Sequence, residues 1–220
     1  MDGIKAVGFD LDGTFMQTHV DYAKLNGSDR AVLERHGIPF GEIDFGTCAK
    51  RPRYPIREWL EAHGRGGEFP GIDREIDSLC TECECEFVDE AKPYPGSVEC
   101  LKVLRDRGYR IGLLTRGSLE YATRALGPLF SEFDVVMGRD HTCYDDAKPS
   151  PKAMIDFAEE LGVRPSEILY VGDNVTDWQS ASGAGARFAG VLTGSGTRET
   201  WQSCGDIPVL DFAGDVVKIL

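Results

Sequence analysis

No apolar stretch in this chain of 220 residues approaches the ~18 consecutive residues of a membrane-spanning helix. A basic surplus is also missing. Lys and Arg number 24 against 37 Asp and Glu, a formal charge of −13. With no extended basic face in the sequence, nucleic acid and membrane surfaces are not expected as partners. A small anionic substrate remains open, because salt screens the global field beyond roughly 8 Å, and a lysine with a bound cation can dominate inside a pocket. Repeats and low-complexity tracts are absent as well. The start, MDGIKAVGFDLDGT, lacks the basic-then-apolar pattern of a secretory signal. Seven cysteines make an odd number for a disulfide framework, so reduced thiols in a cytoplasmic protein are the expectation.

What is present fits a soluble globular protein. Apolar residues make up 41% and charged residues 28%, enough for a core and too apolar for wholesale disorder. The length suits one large domain or a domain carrying an insert. Short apolar runs read as strands at Ile4–Phe9, Tyr109–Thr115, Phe133–Met137, Glu167–Gly172 and Arg187–Leu192. Helical patterns lie between them at Ser118–Leu126 and Pro151–Leu161. This alternation predicts an α/β fold with a Rossmann-like parallel sheet. Residues 16–91 read differently, as helices at Asp21–His36, Pro55–His63 and Ile72–Phe87 punctuated by glycine and proline. The expected organisation is a core of residues 1–15 and 92–220 with a helical insert of 16–91.

Four polar motifs follow predicted strands, where sites in parallel sheets lie. Asp10-Leu11-Asp12-Gly13-Thr14 places two carboxylates at i and i+2, on one side of an extended chain. Such a pair needs a shared proton or a cation between them, and a hard divalent ion with oxygen ligands fits. A chance D-x-D-G-T in a chain of this length has a probability on the order of 10⁻³. Thr115-Arg116-Gly117-Ser118 puts a hydroxyl and backbone amides before a helix, which suits a phosphoryl oxygen and equally suits simple N-capping by Ser118. Lys148 precedes Pro149-Ser150-Pro151, a helix start. Gly172-Asp173-Asn174-Val175-Thr176-Asp177 follows the run ILYV, as a second acidic site or as the cap of the next helix.

Taken in order, these four motifs resemble the haloacid dehalogenase-like superfamily, most closely its phosphatase branch. Tyr94-Pro95-Gly96 and the A-x-x-A-G-A run at Ala181 to Ala186 belong to the same resemblance. The likeness implies a Rossmann-like core with a cap domain and an Mg²⁺-dependent phosphatase acting on a small phosphorylated metabolite. It implies Asp10 as nucleophile and Asp12 as general acid and base. Thr115 and Lys148 would hold the phosphoryl group, with Arg116 as a further contact. Mg²⁺ would be held by Asp10, the Asp12 carbonyl, Asp173 and Asp177. The second aspartate argues for phosphoryl transfer over carbon–halogen cleavage. A phosphomutase would share every one of these residues, and a catalytically silent binding protein is the third alternative.

Other features decide less. Lys50, Arg51, Arg53 and Arg57 can contact a substrate anion or pair with nearby acids. His19 can enter a hinge or pocket. Cys80, Cys83 and Cys85, with Cys48, invite a zinc reading, but the second cysteine pair is missing and helical thiols are the expectation.

Overall fold

Residues 3–46 and 51–220 are described in a computed structural model; Cys48 and Lys50 lie outside that range. Along the chain run β1 (Ala6–Phe9), β2 (Met16–Gln17), α1 (Tyr22–Leu25), α2 (Ser28–Arg35), α3 (Tyr54–Ala62) and α4 (Phe69–Cys85). Then follow β3 (Lys92–Pro93), α5 (Ser97–Asp106), β4 (Arg110–Leu114), α6 (Leu119–Leu126), β5 (Val135–Met137) and α7 (Pro151–Leu161). β6 (Ile168–Gly172), α8 (Val175–Gly183), β7 (Arg187–Val191), α9 (Arg198–Ser203) and β8 (Val209–Leu210) complete it. The chain divides into two compact units, Met1–His19 with Val88–Leu220, and Val20–Phe87.

The first unit is built on a six-stranded sheet ordered β5-β4-β1-β6-β7-β8, every pair parallel. The fold is α/β, as the alternation of runs predicts. β1 is buried throughout, the burial expected of a central parallel strand. In register, Phe9 lies opposite Leu113 of β4 and Val171 of β6. The three strands therefore end within one residue of one another, and Asp10, Thr115 and Asp173 leave neighbouring strands at the same edge of the sheet. β2 and β3 pair antiparallel, Met16 with Pro93, and remain with this unit. β8 has no counterpart in the sequence reading, because two residues are too few to show a period.

A core cluster joins α7 and α8 to the sheet through Met154, Phe157, Leu161, Ala181, Tyr170 and Trp201. The Phe157 ring lies directly over Gly112 in β4. A Cβ there would come within 2.4 Å of its Cζ, so only glycine admits this ring.

The second unit packs α2, α3 and α4 around Val32, Leu33, Ile56, Leu60, Ile72 and Ile76. The sequence predicts one helix over Asp21–His36; the structure breaks it at Asn26-Gly27. Gly27 costs roughly 1 kcal/mol against alanine in a helix. α1, a single turn capped by Asp21, buries no residue to offset that cost. Cys80, Cys83 and Cys85 lie on α4, with the Cys83 thiol 3.9 Å from the Ser28 hydroxyl.

Glu167, just before β6, accepts from the Arg164 guanidinium at 2.8 Å and its amide at 3.0 Å, and meets Lys5 at 2.9 Å. These partners, Arg164 foremost, hold its carboxyl below the ordinary glutamate range. A carboxylate with a depressed folded-state pKa contributes stability above its unfolded pKa of about 4.3 and loses it as pH falls further. Glu167→Gln should therefore lower the urea midpoint at pH 7, and the gap to wild type should narrow below about pH 4. A gap that stays constant down to pH 3 would show that the ionised carboxylate contributes nothing.

Candidate active site

The neighbouring strand ends converge on a single buried ammonium. Lys148 is 2% exposed. Its Nζ lies 2.6 Å from Asp10 Oδ1, 2.7 Å from Asp177 Oδ1, 2.8 Å from the Tyr170 hydroxyl and 2.9 Å from the Leu114 carbonyl. Burial alone would favour the neutral amine. The charges of Asp10 and Asp177 outweigh it, and the lysine pKa stands well above its usual value. Tyr170, pushed up by burial, keeps its proton and donates it to the Leu114 carbonyl at 2.6 Å. Lys148 reaches this point because Ser150 caps α7 and Pro151 occupies its first turn, as the sequence indicates.

Among the described residues, Asp10, Asp173 and Asp177 form a carboxylate cluster that could hold a metal ion, with one oxygen from each within 4.8 Å of the others. All three are buried. Burial, with repulsion from Asp177, pushes Asp10 and Asp173 upward, though Lys148 opposes the shift at both and Ser195 at Asp173. The donor set is three hard oxygens around one lysine, and the surplus negative charge fits a divalent cation such as Mg²⁺. Asp177 does two jobs. Its Oδ2 accepts from the Asn174 amide at 3.0 Å in a capping box that starts α8, and its Oδ1 takes Lys148. The two sequence readings of this loop thus coexist.

Asp12 diverges from Asp10. Half-buried, its carboxylate accepts a 2.5 Å hydrogen bond from the Tyr121 hydroxyl. Thr115 is buried beside the strand end, and its Oγ1 accepts from the Gly117 amide at 2.9 Å. Ser118 caps α6 and accepts from the Tyr121 amide. Arg116 bonds the Lys148 carbonyl and, at 2.9 Å, the Tyr144 hydroxyl; its guanidinium lies 5.3 Å from the centre of the Tyr144 ring. These contacts brace the loop that carries Lys148.

Sequence reasoning missed Tyr121, Tyr170 and Ser195. Ser195 donates from its amide and hydroxyl to Asp173 Oδ2, at 2.6 and 2.9 Å. Thr14 donates to the other oxygen at 3.4 Å. None of these residues announces itself locally, since each acts across more than 20 positions of sequence or from the middle of an ordinary element. Outside the cluster, His19 meets Glu90 at 3.1 Å. Arg51 pairs with Asp29, and Arg53 with Asp73 and Asp77. Arg57 lies 5.8 Å from the Phe69 ring centre.

The adjacent ends of the parallel strands thus carry Asp10, Thr115 and Asp173, with the buried Lys148 and Asp177 beside them. The family model for haloacid dehalogenase-like hydrolases matches residues 4–185. The N-acetylmuramic acid 6-phosphate phosphatase of Pseudomonas aeruginosa is 27% identical over 202 residues, 87% of this chain and 83% of that one. A phosphoglycolate phosphatase of Cereibacter sphaeroides is 30% identical over 190 residues, 83% of each chain. A solved haloacid dehalogenase-superfamily hydrolase from Ehrlichia chaffeensis superimposes with a TM-score of 0.60 at 21% identity, covering 100% of this chain and 97% of the other. That last likeness bears on the fold. The chain belongs to the haloacid dehalogenase-like hydrolase family, and its relatives place it in the phosphatase branch. Among the described residues, no helix is long and apolar enough to cross a membrane.

Proposed function

We propose that the chain is an Mg²⁺-dependent phosphatase that hydrolyses a small phosphomonoester through an aspartyl-phosphate on Asp10. The observation that carries this reading is the buried Lys148 held between Asp10 and Asp177, with Asp173 completing the acid cluster. Asp10, Asp173 and Asp177, with the Asp12 carbonyl, would hold Mg²⁺. The ion would offset negative charge on the phosphoryl oxygens.

In the first half-reaction an Asp10 oxygen attacks phosphorus in line and the bond to the leaving oxygen breaks. Asp12 gives that oxygen its proton. In the second, Asp12 takes a proton from water, the water oxygen attacks phosphorus, and Asp10 is released with inorganic phosphate. Lys148 keeps Asp10 ionised and, with Thr115, binds the transferring group. Arg116 supports this arrangement through the Lys148 loop. The helical unit is assigned as the cap that selects the substrate. The names of the relatives support phosphoglycolate or a phosphorylated sugar as its class.

A phosphomonoester panel containing 2-phosphoglycolate and N-acetylmuramic acid 6-phosphate tests the proposal. Free phosphate should appear with Mg²⁺, vanish with chelator and return on adding Mg²⁺. Asp173→Asn should need more Mg²⁺ for half-maximal rate. A sugar phosphate isomerised without phosphate release would make the protein a phosphomutase. No turnover across the panel would leave a binding protein.

A further inference from the structure

Tyr121 is 1% exposed and sits in the first turn of α6. It is an aromatic residue at a buried helical position, where a phenylalanine would fill the same space. Three contacts fix it. Its amide donates to Ser118 Oγ at 3.2 Å. Its ring lies against Gly117, where a Cβ would come within 2.5 Å of Cδ1. Its hydroxyl donates to Asp12 Oδ1 at 2.5 Å. The ring is thus held by the turn that follows Thr115, and its polar end is delivered 109 positions away in sequence.

From this geometry we infer that Tyr121 is a positioning residue that orients Asp12 for proton transfer. A phenol bound to Oδ1 occupies that oxygen in both states of the carboxyl. When Asp12 is protonated, Oδ1 is the carbonyl oxygen that still accepts from Tyr121, and Oδ2 carries the proton to the leaving group. When Asp12 is ionised, the same bond holds the carboxylate while Oδ2 takes the proton of water. The phenol proton does not move in either step. Its contribution is to hold the Asp12 side chain in one of its rotations and to fix which oxygen is active. The link also ties the Thr115 turn to the acid, so the groups that bind the phosphoryl oxygens and the group that protonates the leaving oxygen share one support.

This inference rests on the reading of Asp12 as acid and base, and the test separates the two. Tyr121→Phe keeps the ring against Gly117 and removes the hydroxyl, so the circular dichroism spectrum should match wild type. For alkyl phosphates kcat should fall roughly ten- to a hundredfold, the scale of a lost hydrogen bond to a charged group, while KM stays within about twofold because substrate binding does not use the hydroxyl. For p-nitrophenyl phosphate, whose leaving group needs little protonation, the loss should shrink to threefold or less. In an Asp12→Asn background the Phe substitution should cost nothing further, a non-additivity that a packing defect would not produce. Equal losses for aryl and alkyl esters, an additive loss in the double variant, or no loss at all would overturn the role of Tyr121. If instead Asp12→Asn itself fails to discriminate between aryl and alkyl esters, the assignment of Asp12 falls, whatever Tyr121 does.

Discussion

Asp10→Asn should abolish phosphate release and the phosphoenzyme together. The amide is a poor nucleophile, and no other side chain takes its place at the end of β1. Asp12 is engaged with Tyr121, and Asp177 is divided between Lys148 and the α8 cap. Removing an enzyme nucleophile costs about 10⁴-fold or more in rate. The fold should survive, because the variant removes one of three crowded carboxylates and leaves Lys148 paired with Asp177. The thermal midpoint without metal should therefore equal or exceed wild type. Acid-quenched incubation with ³²P-labelled substrate reads the covalent step directly. Label retained in the variant, or found on a residue other than Asp10 in wild type, would remove the nucleophile assignment.

Lys148→Met should invert that pattern, harming the fold as well as the chemistry. Methionine fills much of the same space, but two buried carboxylates lose their counter-charge and Tyr170 loses a donor. Breaking a buried ion pair by deleting one partner costs roughly 3–5 kcal/mol. A large drop in the thermal midpoint is expected in chelator, with part of it recovered in high Mg²⁺ as the cation replaces the missing charge. Activity should fall by at least roughly 10²-fold even at saturating Mg²⁺, the scale of losing one preorganised electrostatic contact. An unchanged midpoint in chelator would mean that the carboxylates are already neutral in the resting protein, which would contradict their pairing with Lys148.

The contrast between these variants also marks what the sequence could reveal. Asp10, Thr115 and Asp173 were legible because each directly follows an apolar run, and a parallel sheet puts its polar business at that end. Lys148 was legible from Pro149 and Pro151, which mark a helix start. Tyr121 and Tyr170 were not, since an aromatic residue among apolar neighbours reads as core, and both rings are indeed buried; only the partner of each hydroxyl gives it a second role. Ser195 was hidden in a loop whose turn residues look like connection. The single helix expected over Asp21–His36 failed at Gly27, because the turn before it buries no residue while the segment after it does. β8 is a two-residue edge strand placed by β7 and not by its own pattern.

The order of the sheet bears on how the protein is made. β1 leaves the ribosome first and is flanked in the finished fold by β4 and β6. Both edges of the earliest strand must wait, the second until residues 168–172 have emerged. Asp10 has no Lys148 until residue 148 has emerged, and the lysine then still lacks Asp177. Nascent chains stopped before about residue 180 would thus carry the motif of the family without its function. They would expose an unpaired apolar strand that invites association with other chains. Early closure of loops this long is slow. The centre is complete only once the segment from Lys148 to Asp177 has joined Asp10, so its assembly waits on residues far along the chain from β1.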